Sequence, residues 1–487
     1  MRRYFVIPGD VSHLATIAPY LTEDVCGVLL HQRASAGVEE LSRMGLAAMG
    51  EKMHAFDSLR EIARELVARE DQAAYTRLLG EILGDPRVHY LATRSSLDSP
   101  FNNAIAIERI ALNSLRIIRR ARPACLVASS TPHSLEAWVF AKCFEFLGLP
   151  VYVLEATPIA IRAWIYRGLD TQEVVPRRGN GARTELSQAT RALVRSQQVS
   201  GPGARDESGY QVSRIYLNSV EGSDTNRWWS TAREGRWLLK GKLTSLPLRL
   251  RAAWRKHRLY ESYEEATITG LPQQPFVVYF MHYQPERSSL PVGRFFAQQW
   301  MAVRALSWSL PPGWKLLVRE HPTTWLKPLD PFVRTENIYR DIASLPNTQV
   351  CPMDVDTFEL IDRSMAVATL TGSVGFQSLL RGKPVLALGL AAYKDHPACH
   401  SVTTVDEMIE ALRAIESGKS AARITNETLS EYLEWVERNS FCADPEETDW
   451  IKARLKNFAE IYRQLFQHEL QLDGSASASR GAVRTND

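Results

Sequence analysis

Short apolar runs alternate with longer stretches of helical period along most of the chain. In the first third, apolar runs at residues 3–7, 27–31, 125–129 and 151–155 predict buried strands. Helical patterns lie around and between them at 38–49, 58–69, 73–83, 103–120 and 134–147. After residue 275 the same grammar returns. Strands are predicted at 276–281, 315–319, 348–351, 365–370 and 385–388, with helices at 293–310, 338–344, 356–363, 374–381 and 405–415. Strands alternating with helices of this length imply parallel sheets covered on both faces. Ile451, Leu455, Phe458, Tyr462 and Leu465 step by fours and threes, which predicts a helix with one apolar face.

Between the two regular stretches the pattern weakens. "VPRRGNGARTE" and "VSGPGARDESG" are rich in Gly, Pro and charge and read as loops. The organisation is therefore α/β, with two Rossmann-like domains facing a cleft. Residues 1–170 form the first domain, 171–274 an irregular and helical connection, 275–470 the second domain, and 471–487 a small, polar, disordered tail.

Composition narrows the class. The chain has 487 residues, 45% hydrophobic and 23% charged, enough for large cores. Its six cysteines are scattered without a C-x-x-C pair, which argues against a zinc site and for a reducing compartment. No apolar run approaches the ~20 residues that span a bilayer. The expectation is a cytoplasmic protein with no nucleic-acid partner. The formal net charge of +3 hides a local excess: within residues 233–258, nine Lys or Arg residues accompany a single acid, Glu234. Trp237, Leu238, Leu239, Leu246, Leu248, Leu250 and Trp254 interleave with them. Such a segment can lie on an anionic membrane surface at the inner membrane, or be a solvated helical face in the connection.

Three loops after strands of the second domain carry candidate chemistry. The first, "MHYQPERSSLP" at 281–291, packs His282, Gln284, Glu286, Arg287, Ser288 and Ser289 between a strand and a helix. A carboxylate beside His and Arg suits a general base or nucleophile; equally, Ser288 or Ser289 can cap a helix that Glu286 favours through the dipole. The second, "VREHPTTW", sets His321 and Pro322 just past the strand end, where an imidazole can donate to a phosphate oxygen. The third, "TLTGSVGFQSLLRGKPVLALG", stops a strand at Thr371-Gly372-Ser373 and turns at once into a helix. Gly permits close approach, and free N–H groups with the helix dipole attract phosphate; the alternative is an ordinary N-cap. Neither a P-loop nor a G-x-G-x-x-G spacing is present. Asp354-Val355-Asp356 has the spelling of a metal site but precedes a helix and reads as an N-cap, so no metal is expected.

The joint order of these loops resembles the bacterial capsule polysaccharide biosynthesis proteins, which include Kdo transferases of GT-B fold. The resemblance runs from about residue 276 to 388 through "VVYFMHYQPERSSLPVG", "LPPGWKLLVREHP", "FVRTENIYRDIASLPNTQV", "DVDTFELI" and "TGSVGFQSLLRGKPVL". It implies a glycosyltransferase using a nucleotide-sugar donor, CMP-linked by expectation, without a cofactor. His321 and Pro322 match the element that contacts the donor phosphate, and Thr371, Gly372 and Ser373 the loop beneath it. Arg319 is a further phosphate candidate. Glu286, with His282 and Gln284, occupies the catalytic loop, and residues 354–358 lie near the base. Gln377 stands where relatives often carry an acid that holds the ribose. His13, His133 and Glu155 are candidates on the acceptor side, the acceptor being a capsule or lipopolysaccharide chain, lipid-linked in one version. Two other readings share these features: a nucleotide-sugar epimerase or hydrolase, and a non-catalytic scaffold of a capsule assembly complex.

Overall fold

The computed structural model describes residues 3–8, 16–21, 24–30, 53–61, 72–95, 100–159, 161–177, 186–198, 246–284, 286–326, 334–447, 449–467 and 470. The expected helix at 38–49, the end of the one at 58–69, His13, the first half of the basic segment (233–245) and the 471–487 tail lie outside these residues. The chain divides into two compact units, Met1–Gly84 with Ser96–Arg183 and Val436–Asp487, and Asp85–Ser95 with Thr184–Trp435.

The first unit holds strands β1 (Tyr4–Ile7), β2 (Val25–Leu30), β3 (Met53–Ala55), β4 (Cys125–Ala128), β5 (Val151–Ala156), β6 (Ala163–Arg167) and β7 (Glu173–Val174) in the order β3-β2-β1-β4-β5-β6-β7. β1 to β5 pair in parallel; β6 and β7 add antiparallel. Every residue of β1, β2 and β4 is buried, as continuous apolar runs require in a sheet covered on both faces. The antiparallel edge was not foreseen. Glu173–Val174 falls in the stretch that the sequence assigns to the connection, because a two-residue strand carries no periodicity.

The second unit holds β8 (Phe276–Phe280), β9 (Lys315–Arg319), β10 (Thr348–Val350), β11 (Ala366–Thr369), β12 (Val385–Ala387) and β13 (Cys399–Ser401), all parallel, in the order β10-β9-β8-β11-β12-β13. Both sheets are thus of the doubly wound, Rossmann-like kind expected from the sequence. In the second, the order reverses between β8 and β11, and ligands of such sheets gather at the carboxyl ends of the strands flanking that point. One predicted helix differs. The 293–310 stretch is a short 3-10 turn at Arg294–Ala297 followed by an α-helix at Gln299–Ser309.

The C-terminal helix, Trp450–Phe466, belongs to the first unit and not to the second, where its sequence position had placed it. Phe458, Ile461, Tyr462, Leu465 and Phe466 are buried with Tyr4, Val6, Val25 and Val127, and the Tyr4 and Phe466 rings meet edge to face at 5.5 Å. Asp449 caps the helix, accepting from the Ile451 and Lys452 amides. The buried face keeps Phe458, Tyr462 and Leu465 of the expected stripe, but at the start of the helix it shifts to Ala453 and Asn457, leaving Ile451 47% exposed.

Candidate functional site

Parallel register sets three strand ends of the second unit level with one another. Phe280 pairs with Arg319 on β9 and with Thr369 on β11. The loops leaving β8, β9 and β11 therefore emerge side by side, and these are the three loops the sequence singled out. They are cross-bonded. The Thr371 amide donates to His282 Nε2 at 3.2 Å, and Thr369 Oγ1 lies 3.1 Å from the same nitrogen. Thr371 Oγ1 donates to the Ser288 carbonyl. His282 is 7% exposed, and its pKa is lowered to about 3, by burial first and then by the charges of His321 and Arg334. With Nε2 accepting an amide proton, the imidazole is neutral and carries its own proton on Nδ1. It is a support for the Thr371 loop and a poor proton acceptor at neutral pH.

The Thr371 loop has the form of an anion cradle. Gly372 is the N-cap of the helix Ser373–Leu380, in an extended conformation with no side-chain cap. Its carbonyl accepts from the Gly375 amide at 3.0 Å and from Tyr393 Oη at 2.7 Å. Among the described residues, no acceptor meets the amides of Gly372, Ser373 or Val374. Three donors at a helix N-terminus, on the switch-point strand, suit a phosphate. A side chain at 372 would crowd Thr369 Oγ1 at 2.9 Å and His282 Nε2 at 3.4 Å, so Gly is required there for close packing. Ser373 is exposed at the mouth of this loop, and Gln377 stands one helical turn further on, half-buried.

His321 and Pro322 begin the turn after β9, both half-buried. The His321 amide donates to Glu320 Oε1 at 2.7 Å, and Glu320 Oε2 accepts from Arg334 Nε at 3.1 Å and Tyr339 Oη at 2.6 Å. Burial alone would raise the Glu320 carboxyl, but the Arg334 charge and these hydrogen bonds outweigh it and hold it below the ordinary carboxylate range. Gln299, buried at the start of its helix, donates to the His282 carbonyl at 2.9 Å and accepts from the His282 amide at 2.7 Å. Gln284 donates to the Ala297 carbonyl and accepts from Gln299, so it shapes the loop from within.

Glu286 is half-buried. Its backbone carbonyl accepts from the Ser289 and Leu290 amides at 3.0 and 2.9 Å, while its carboxylate accepts from Ser288 Oγ at 3.2 Å. Arg319 is not at the mouth of the site. It is buried, with Nη2 donating to the Met353 and Val355 carbonyls and Nη1 facing Cys351 Sγ, because the strand's alternation turns it into the sheet. It fixes the 353–355 loop through these carbonyls. Asp356 is the N-cap of the next helix, accepting from the Phe358 and Glu359 amides, as read from the sequence. Among the described residues no group of three His, Cys, Asp or Glu side chains gathers as metal ligands.

In the first unit, His133 and Glu155 meet at the loop after β4. Glu155 Oε1 accepts from the amide and the hydroxyl of Thr131, each at 2.8 Å, and His133 Nδ1 lies 3.2 Å from the Thr131 carbonyl. Glu155 is thereby a brace of that loop. Gln299, Arg334 and Tyr393 had no assigned role in the sequence. For Gln299 the signal was slight, a polar residue among apolar helical neighbours; Arg334 and Tyr393 lie outside helices and carry no such signal.

Comparison with known proteins agrees with the resemblance read from the loops. The model of the family "Capsule polysaccharide biosynthesis protein" matches residues 311–401. No curated protein matches the chain's sequence. Among solved structures, UDP-GlcNAc 2-epimerase from Neisseria meningitidis bound to UDP-GlcNAc is similar at 13% identity, covering 90% of this chain and 99% of its own, with a TM-score of 0.25. KpsC, the β-Kdo 2,7 transferase of Thermosulfurimonas dismutans, is similar at 9% identity over 84% and 90%, with a TM-score of 0.27. The spinosyn rhamnosyltransferase SpnG with spinosyn aglycone is similar at 12% identity over 88% and 96%, with a TM-score of 0.24.

Proposed function

We propose that this chain, whose residues 311–401 match the model of the capsule polysaccharide biosynthesis family, is a glycosyltransferase. It moves a sugar, Kdo or a related acid sugar, from a nucleotide donor to a capsule or lipopolysaccharide acceptor. The observation that carries the reading is the cradle at the switch point: three unengaged amides, at Gly372, Ser373 and Val374, beside a neutral His282 and the His321 turn. Amides aimed at a leaving phosphate stabilise the charge that develops on it as the glycosidic bond breaks. The half-exposed carboxylate of Glu286 serves the positive anomeric centre or takes the acceptor's proton. Gln377 offers an amide to the donor's hydroxyls. His133 and the loop braced by Glu155 are the acceptor side, and the basic segment at 233–258 brings the protein to an anionic membrane bearing a lipid-linked acceptor.

The test is nucleotide release from CMP-Kdo and other nucleotide sugars, with and without acceptor polysaccharide. The expected result is acceptor-dependent release, lowered at least 100-fold in Glu286→Gln and in His321→Ala. Free sugar appearing without acceptor reassigns the site to hydrolysis. If both variants leave cellular polysaccharide unchanged while loss of the whole chain abolishes it, the protein is a scaffold.

A further inference from the structure

Arg334 lies outside all three motif loops, just before the helix Ile338–Ala343. Its guanidinium nevertheless holds two of them. Nε donates to Glu320 Oε2 at 3.1 Å, Nη1 to Gln284 Oε1 at 2.9 Å and Nη2 to the His282 carbonyl at 2.9 Å. Glu320 in turn fixes the β9 loop, accepting from the His321 amide at 2.7 Å and the Thr324 hydroxyl at 3.2 Å. The side chains of Arg334 and Glu320 are 4% and 0% exposed. A buried ion pair is seldom more stabilising than apolar residues of the same volume, because both charges must leave water. What such a pair supplies instead is position. A planar fork with donors in three directions can tie three acceptors at once, which a lysine ammonium on a flexible stem does not reproduce.

We propose that Arg334 is a positioning residue of the donor-phosphate site. Through Glu320 it joins the His282 loop and the His321 loop into one rigid piece, and so sets affinity for the phosphate without touching it. This rests on the reading that these loops hold the donor phosphate.

The test compares the wild type, Arg334→Lys, and the paired apolar replacement Glu320→Met with Arg334→Met. Each is measured by urea unfolding and by calorimetric titration with CMP, UDP, GDP and dTDP. The expected result is a paired variant at least as stable as the wild type that binds the preferred nucleotide at least tenfold more weakly. Arg334→Lys is expected to show a similar loss of affinity. Wild-type affinity in the paired variant or in Arg334→Lys overturns the proposal and leaves the pair a purely structural one. If the wild type binds none of the four nucleotides, the donor reading itself fails. The positioning role is then decided by imidazole 15N spectra: the His282 and His321 signals are expected to move together in Arg334→Lys, and their staying in place overturns it.

Discussion

Replacing Gly375 by Ala tests how the cradle is held. Gly375 sits in the first turn of the helix that Gly372 caps, and the buried Tyr393 ring crosses directly over it. A Cβ there overlaps the phenol oxygen and its carbon, and meets Cε2 at 2.8 Å. The ring cannot yield without cost, since Tyr393 is 2% exposed and stacks with Phe376 at 6.5 Å. Overpacking of this kind costs about 1–3 kcal/mol. The displaced phenol also loses its 2.7 Å bond to the Gly372 carbonyl, a net of roughly 0.5–1.5 kcal/mol. The expected destabilisation is therefore about 2–4 kcal/mol, read by urea unfolding of the second unit. Because Gly372 orients the three amides, phosphate binding should weaken by roughly tenfold or more, the equivalent of one charge-assisted hydrogen bond. Gly382→Ala is the control. Gly382 has φ of +77° and open space at its Cβ, so the change strains the backbone by about 1 kcal/mol and leaves the cradle alone. Gly375→Ala with wild-type stability and wild-type phosphate affinity would refute the idea that Tyr393 shapes the cradle.

Stability should fall as pH drops below about 6.5. Burial lowers His282 to about 3 and His396 to about 4. Both lie below the unfolded value of about 6.5, so the unfolded chain takes up protons that the folded one refuses. The slope is up to about 1.4 kcal/mol per pH unit for each histidine, and Glu320, held low, adds to it only below about pH 4.5. A flat unfolding profile between pH 7 and 5 contradicts this. Phe458→Ala should cost about 3–5 kcal/mol in the unfolding of the first unit, because the C-terminal helix completes its core; a transition unchanged by the substitution argues against that packing. Vesicles with anionic lipid should retain the protein at 50 mM salt and release it at 500 mM, since surface charge attraction is screened. Equal retention by neutral vesicles would tell against the basic segment as the contact.

Five strands of the second unit were legible because each follows a short apolar run bounded by turn residues, so Lys315–Arg319 could be placed to the residue; β13, Cys399–Ser401, was not, because Cys-His-Ser carries no apolar run and is half-buried to exposed. The three site loops were legible for the same reason: parallel sheets deliver chemistry at the ends of such runs. What escaped was set by tertiary contact. The Trp450–Phe466 helix announces an apolar stripe but not which core receives it, and the stripe that is buried is the one Tyr4 and Val127 can meet. His282 reads as a base in sequence. Only the Thr371 amide on its Nε2 and its burial show it to be a support. Arg319 reads as a phosphate ligand one residue before Glu320, yet strand alternation sends it inward to the Met353 carbonyl. Arg334 reaches the site across some fifty residues of sequence, a distance no local pattern encodes.

The most direct measurement is a crystal structure of the protein with CMP or the nucleotide it prefers. The expected map shows a phosphate within hydrogen-bond distance of the Gly372, Ser373 and Val374 amides, with the His321 imidazole beside it. A nucleotide bound elsewhere, with those amides still facing solvent, contradicts the account.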